Sequence, residues 1–429
     1  MFGVEVDFGQ NAASGARAKW TSDRVVNAHM AVFGDTGMGK THTLRKIVSA
    51  MQETGHPRLR FHVFDAHGDV SIPGESAVAF HESADFGFNP LELNADPEFG
   101  GVRKRIQSLI GAIKRTSVRL GPRQERALTK LLTGLYKREG FIADNPGTWQ
   151  AGGDRRYPTL PDAIEFGKER LKAYHVGANQ RAIRALEEVN RCARAMRAKK
   201  ATLQNVDDDG AARLERELEA ARVRAIDAYK DAVCAIETGE EFDEALDLEG
   251  QKETLESVVD RLENLYQIGI YRSTPPPLDP RSRVWRYIIK SLSKDEKKLF
   301  TLTRLETIFT RAVQRGEQSE VLDCIVIDEA HLYQDKEEDY IVNRMAREAR
   351  KFGVSMLFAS QSPTDFADVL LASLGTKVIL GLDPNFWPQA VRKLGLTESQ
   401  LKSIVPQRRI LLQMKGIGQL GSAASLVIL

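Results

Sequence analysis

Cysteine is scarce: Cys192, Cys234 and Cys324 are the only three in 429 residues, far apart and never in a CxxC pair. That excludes a disulfide framework and a zinc ribbon, and points to a reducing compartment. No stretch approaches the roughly 18 consecutive apolar residues that a membrane span requires. The N-terminus carries no charged leader followed by an apolar run, so export is not expected and a cytoplasmic protein is. Internal repeats and low-complexity tracts are absent. Net charge is also nearly missing, at +2, but that sum conceals a segregation. From Arg103 to Glu139 there are eleven Lys/Arg against two Glu (+9), and from Asp207 to Glu263 nineteen acids against seven bases (−12). That segregation matters more than the sum.

A hydrophobic content of 42% and a charged content of 28% are those of a globular chain. Its length exceeds one ordinary core, so a main domain with a sizeable insertion is expected. Val4–Phe8 and Ala16–Trp20 alternate apolar and polar residues around a Gly/Ser/Asn turn, predicting a hairpin. Ala28–Phe33 reads as a buried strand running into a glycine-rich loop, followed by a helix over Thr41–Met51 that ends near Gly55. A second strand, Phe61–Phe64, ends at Asp65. Residues 103–275 are patterned almost wholly as helix, broken at Asp144–Pro161 and at Asp207-Asp208-Asp209-Gly210, and closed by Pro275-Pro276-Pro277. Leu255, Val258, Val259, Leu262, Leu265 and Tyr266 form an apolar stripe there. Strands follow near Val284–Ile289, Cys324–Ile327, Val354–Ala359, Val378–Leu380, Ile410–Leu412 and Ser425–Leu429, with helices over Asp295–Gln314 and Asp339–Phe352. The expected fold is α/β: a mostly parallel sheet with helices on both faces plus a large helical insertion. The divisions are 1–102 and 276–429 for the two parts of the core and 103–275 for the insertion.

Gly34-Asp35-Thr36-Gly37-Met38-Gly39-Lys40-Thr41 fits GxxxxGK[ST] at every fixed position, between a predicted strand and a predicted helix. Backbone N–H groups of such a loop, with the helix N-terminus after it, cradle phosphate oxygens. Gly34 through His42 are the candidate nucleotide contacts. Lys40 is assigned to the β- and γ-phosphates of ATP and Thr41 to Mg²⁺. The strand ending at Ile327 delivers Asp328 and Glu329 where open α/β sheets bind ligands. Asp328 is the second Mg²⁺-side group, and Glu329 the carboxylate that orients the attacking water. An acidic pair of this kind also suits a helix N-terminus.

Gln361, after the strand Val354–Ala359, is a candidate γ-phosphate sensor, or a side chain closing the loop before Pro363. Arg344, Arg347, Arg350 and Lys351 are predicted on one helix, with 344, 347 and 351 sharing a face. They are candidates for an arginine acting on a neighbouring subunit's nucleotide, or a solvated basic face. Asp65, His67 and Asp69 close the second strand and are candidates for organising Mg²⁺ or water, although a histidine between acids more often bonds within its loop.

The segments GDTGMGKTHTL, VFDAHGD, FNPLEL, VIDEAH and NRMAREARKFGVSMLFASQSPTDF together resemble the HerA/FtsK superfamily of P-loop motors, and most of all its HerA-type branch. They cover residues 28–94 and about 284–381; the insertion has no matching motif. The resemblance implies a RecA/FtsK-like core and a homo-oligomeric, hexameric ring acting on duplex DNA, in some relatives with a nuclease partner or in secretion. It puts Gln361 at the sensor position and Arg347 or Arg350 where a trans-acting arginine is expected. The sequence departs from the HerA pattern in one respect: only about thirty residues precede the phosphate loop, so the usual N-terminal β-barrel is expected to be missing or reduced to the hairpin.

Two functional classes follow. A DNA translocase would use Arg103–Arg138 on phosphates; aromatic residues are sparse there, so stacking on single strands is not favoured. A regulatory assembly ATPase would instead use the insertion to dock an effector such as a defence nuclease. A conjugation or secretion pump is a third reading, against which stands the lack of a membrane-facing segment.

Overall fold

The computed structural model describes residues 3–114, 120–153, 155–176, 180–202, 208–234, 252–335, 340–418 and 422–429. The described chain divides into two units. The first comprises Met1–Leu120, Ile142–Gly153 and Tyr266–Leu429, and the second Gly121–Phe141 and Asp154–Leu265.

The first unit is built on an 11-stranded sheet. In chain order the strands are β1 (Glu5–Asn11), β2 (Arg17–Thr21), β3 (Met30–Gly34), β4 (Arg60–Asp65), β5 (Glu75–Ala79), β6 (Val284–Ile288), β7 (Asp323–Ile327), β8 (Val354–Ser360), β9 (Thr376–Gly381), β10 (Arg409–Met414) and β11 (Ala424–Ile428). Their spatial order is β2-β1-β11-β10-β9-β3-β8-β7-β4-β6-β5. From β9 to β5 every neighbour pairs parallel. The hairpin β1–β2 joins this body through antiparallel β11 and β10.

Alternation along each strand divides its side chains between the two faces. Phe61 and Val63 of β4 and Val32 of β3 share a buried cluster with Leu44, Ile47, Val48 and Met51 of α1 (Lys40–Thr54). On the other side Phe64 lies 5.1 Å from Tyr287, and Phe80 lies 4.5 Å from Phe300. Phe300 belongs to the helix Lys294–Arg315, which starts at a capping box: Ser293 N–H donates to Glu296 (2.8 Å) and Glu296 N–H to Ser293 Oγ (3.4 Å). The expected parallel sheet with helices on both faces is present. β5 and three short helices, Asp368–Ser373, Trp387–Leu394 and Glu398–Lys402, were not anticipated.

Helix α2 (Val102–Lys114) falls in this first unit, where its Ser108 bonds Glu306. The second unit contains α3 (Pro122–Arg138), α4 (Leu160–Val176), α5 (Gln180–Thr202), α6 (Asp208–Cys234) and most of α7 (Lys252–Gln267). The predicted stripe on α7 is buried at Leu255, Val258, Val259, Leu262 and Leu265, while Tyr266 is half-buried. Close approach to α4 depends on Gly167, where a Cβ would come within 2.5 Å of Val259. Of the predicted Asp207–Gly210 break, Asp207 lies outside the described residues and the other three already belong to α6. Among the described residues no helix is long and apolar enough to cross a membrane.

Candidate nucleotide and cation site

Because β3, β8, β7 and β4 are parallel, their C-terminal ends meet along one edge. Phe33 pairs with Ser360, Ile327 with Phe358, and Phe64 with Ile327. This register brings the phosphate loop, Asp328-Glu329 and Asp65 to the same side of the sheet.

The loop after β3 turns through Gly37 (φ 80°) and Gly39 (φ 92°), both left-handed, where a side chain would be strained even though it would meet no atom within 4 Å. Gly39 caps α1, so the helix begins at Lys40 with its first N–H groups facing the loop. Lys40 Nζ donates to the carbonyls of Gly34 (2.9 Å) and Asp35 (3.3 Å), which holds the ammonium inside the curl of the loop. Thr36 and His42 are exposed, while Asp35, Met38 and Thr41 are partly covered.

Asp328 and Glu329 are buried, 3% and 7% exposed. Asp328 Oδ2 is sealed from solvent without a hydrogen bond. Burial, then the carboxylates of Glu329, Asp65 and Asp69, push the Asp328 pKa up to about 7, with His67 opposing. Carboxylate oxygens of Asp65, Asp69 and Asp328 lie within 4.8 Å of one another. A buried, unpaired oxygen among crowded carboxylates is the environment that a hard divalent cation relieves, so these residues fit Mg²⁺. Thr41 Oγ1 donates to Asp69 Oδ2 at 3.3 Å, which ties the phosphate loop's threonine to the same cluster.

Glu329 has a left-handed backbone, φ 52°, unusual for a residue with a side chain. Its carboxylate stands between two histidines: Oε1 is 3.3 Å from His67 Nε2, and Oε2 is 3.0 Å from His331 Nδ1.

The sequence reading missed Arg286. From β6 its guanidinium holds Asp65 (2.9 Å) and Glu75 (2.7 Å), and it is buried. The available signal was an arginine within the apolar strand Val-Trp-Arg-Tyr-Ile, next to the strand that ends in Asp65.

The basic helix differs from expectation. It runs only over Ile341–Glu348, and Ala349–Phe352 tightens into a 3-10 turn that ends at Gly353 (φ 70°), whose N–H bonds the Ala349 and Arg350 carbonyls. Asp339, the predicted start, lies outside the described residues. Arg344 and Arg347 keep their three-residue spacing on the helix, whereas Lys351 lies beyond it in the 3-10 turn. Arg344 is half-buried with its guanidinium 5.1 Å from the Phe309 ring, whereas Arg347 and Arg350 are exposed. Gln361 follows β8 and is exposed, and it bonds neither Asp328 nor Glu329.

A parallel sheet with a phosphate loop on one strand and a buried acidic pair two strands away is the arrangement of a P-loop nucleotide-binding fold. In sequence the likeness is to HerA: residues 6–95 match the family model of the central domain of helicase HerA. The DNA double-strand break repair helicase HerA of Pyrococcus furiosus is 40% identical over 60 residues, 13% of this chain and 11% of that protein. The matched stretch thus spans a small part of that relative's length. Among solved structures, VirB4 of Thermoanaerobacter pseudethanolicus has a TM-score of 0.64 at 13% identity, covering 99% of this chain and 96% of its own. Plasmid coupling protein TrwB in complex with an ATP analogue has a TM-score of 0.52 at 12% identity, covering 94% and 85%. Likeness at such identities establishes the fold.

Proposed function

We propose that this chain is the ATP-hydrolysing subunit of a ring-forming, hexameric motor that translocates duplex DNA. The observation that carries the reading is the meeting of Lys40, Thr41 and the Asp65–Asp69–Asp328 cluster at one edge of a HerA-type core. Backbone N–H groups from Gly34 to Thr41 cradle the phosphates, and Lys40 neutralises the β- and γ-oxygens. Thr41 and Asp328, with Asp65 and Asp69 beside them, hold Mg²⁺, which supplies charge neutralisation during phosphoryl transfer. Glu329 accepts a hydrogen bond from the attacking water and fixes its direction. Gln361 senses the γ-phosphate. The exposed Arg347 or Arg350 reaches a neighbouring subunit's nucleotide. Support for nucleotide and cation use also comes from TrwB, solved in complex with ADP and Mg²⁺.

DNA contact falls to basic helices in both units: Arg103 and Lys104 of α2, and Arg123, Arg126, Lys130 and Lys137 of α3, are exposed. Arg115 and Arg119 lie outside the described residues. Contacts of this kind hold phosphates without reading bases, so binding should weaken steeply with salt. The test is ATP turnover of the full chain with and without duplex DNA across a salt series, with particle imaging for ring size. Stimulation by any duplex at low salt is expected. No binding and no stimulation at low salt would sink the DNA reading.

A second reading, an assembly ATPase that controls an effector such as a nuclease, is favoured by one observation. Val223, Ile226, Tyr229 and Val233 of α6 are exposed at three- and four-residue steps, while Ala221 and Ala228 on another side of the helix are buried. A co-purifying protein that changes ATP turnover more than DNA does would favour this reading over transport.

A further inference from the structure

We propose that His67 is the positioning residue of Glu329, and that the loop after β4 holds both ends of the hydrolytic site from one short segment. The inference rests on the reading of Glu329 as the group that directs the attacking water.

The loop is wound around a buried carboxylate. Asp65 accepts the backbone N–H groups of His67 (3.2 Å), Gly68 (2.6 Å) and Val70 (3.1 Å). Arg286 grips Asp65 at 2.9 Å, and its other arm is held by Glu75 at 2.7 Å. The backbone from 65 to 70 is therefore fixed by charge-assisted bonds made in the protein interior. From this fixed segment two side chains reach out. Asp69 receives the Thr41 hydroxyl at 3.3 Å, while its carbonyl accepts the Arg45 guanidinium. His67 Nε2 stands 3.3 Å from Glu329 Oε1.

The two histidines at Glu329 are not equivalent. His331 belongs to the 3-10 turn Ala330–Tyr333 that follows Glu329, so it moves with the residue it touches. His67 comes from the end of another strand and ties Glu329 to the segment that also holds Thr41. Glu329 Oε2 is sealed from solvent without a hydrogen bond although His331 Nδ1 stands 3.0 Å away, so the approach of His67 to Oε1 is the contact that orients the carboxylate from outside its own turn, and each oxygen's two acceptor positions leave one for water. A water-directing group held in this way carries its orientation before substrate arrives, which raises turnover without changing nucleotide affinity. A hydroxyl that donates to Asp69 likewise keeps its oxygen lone pairs free for a cation.

The test uses the full chain with Mg-ATP. His67 is suitable because its side chain is 61% exposed, so replacing it leaves the core intact. His67→Ala is expected to lower kcat by about tenfold or more, with KM and the Kd of a fluorescent ATP analogue within about twofold. His67→Gln, whose amide still donates, is expected to recover most of that loss. A readout without nucleotide is the imidazole resonance of His67 in histidine-labelled protein, which should move in Glu329→Gln. Wild-type kcat in His67→Ala overturns the proposal. So does a loss that His67→Gln fails to restore and that accompanies a fallen Tm. Normal turnover in Glu329→Gln would instead sink the reading of Glu329 itself, a separate failure.

Discussion

The two units use charged side chains in different ways. In the sheet unit Asp65, Arg286, Asp328 and Glu329 are all buried, and they converge on one sheet edge. In the helical unit the ion pairs run along and between helices in solvent: Lys172–Glu187 at 2.8 Å has both partners 56% exposed, and Arg138–Glu169 spans 2.7 Å with partners 38% and 51% exposed. Exposed pairs of that sort contribute roughly 0–1 kcal/mol each and chiefly keep a helix soluble. A buried cluster with uncompensated carboxylates destabilises the fold around it and persists where chemistry needs it. Removing an uncompensated buried carboxylate from the first unit should therefore change activity and stability in opposite directions, while removing one partner of an exposed pair in the second should do little to stability or to basal turnover.

The sharpest way to break that contrast is Glu329→Gln. It keeps size and burial but removes the base, and turnover should fall roughly 100- to 1000-fold with ATP binding retained. Lys40→Ala, by comparison, should lose nucleotide binding itself. Steady-state hydrolysis and equilibrium binding on the same preparations separate the two outcomes; a Glu329→Gln protein near the wild-type rate removes the base from the scheme.

Next in size is the stability effect of Asp328→Asn. The folded-state pKa of Asp328 is pushed up to about 7 from an ordinary 3.8, so between these values the unfolded chain has released a proton that the folded chain keeps. Through this group stability falls as pH rises from about 4 to about 7, and the full cost applies above that. Asparagine carries no charge to bury. Without cation or nucleotide it should stabilise the protein by about 2 kcal/mol at pH 8, with the gain shrinking toward pH 4. Thermal melts at the two pH values check this, and Mg²⁺ should narrow the pH 8 gap by stabilising only the wild type. An Asp328→Asn protein that melts lower at pH 8 would show that the cluster is not strained.

How much of this was legible in the sequence depends on what kind of contact fixed it. The phosphate loop, the acidic pair and the alternating strands are local patterns, and each appears where spacing indicated. Cross-strand pairing is not local. Arg286 stands 221 positions from Asp65, and only the parallel pairing of β4 with β6 brings them together. The last turn of the basic helix differs for another reason: its periodicity continues past Glu348, but the chain closes at Gly353 in a left-handed conformation through a 3-10 turn, which takes Arg350 and Lys351 off the helix. Gln361 was read from its place after a strand, which fixes its position along the sheet edge and not the direction of its side chain.

In the helical unit Gly167→Val tests whether packing, not charge, holds the helices. Even the first carbon would stand 2.5 Å from the Val259 side chain and 3.6 Å from Leu131, so a loss of roughly 1–3 kcal/mol is expected. Lys168→Ala, one residue on and in an exposed pair with Glu263 (2.6 Å), should cost under about 0.5 kcal/mol. Equal losses from the two would mean that the helical unit depends on its surface charge after all.

The smallest expected effect on stability belongs to the apolar stripe of α6. Ile226 is 47% exposed and Tyr229 58%, so Ile226→Ser with Tyr229→Ser should move Tm by no more than the change that about 0.5 kcal/mol produces. Basal ATP turnover, set at the sheet edge of the other unit, should also stay where it is. The pair becomes informative when a co-purifying partner is present. If the stripe is a docking face, the double substitution abolishes that partner's effect on turnover while leaving stimulation by duplex DNA intact, because the proposed DNA contact uses the basic residues of α2 and α3 and not α6. Retained partner control would assign docking to another surface; a large fall in Tm would show that the stripe is packed in the assembled protein, and that its exposure in one chain belongs to an interface between copies.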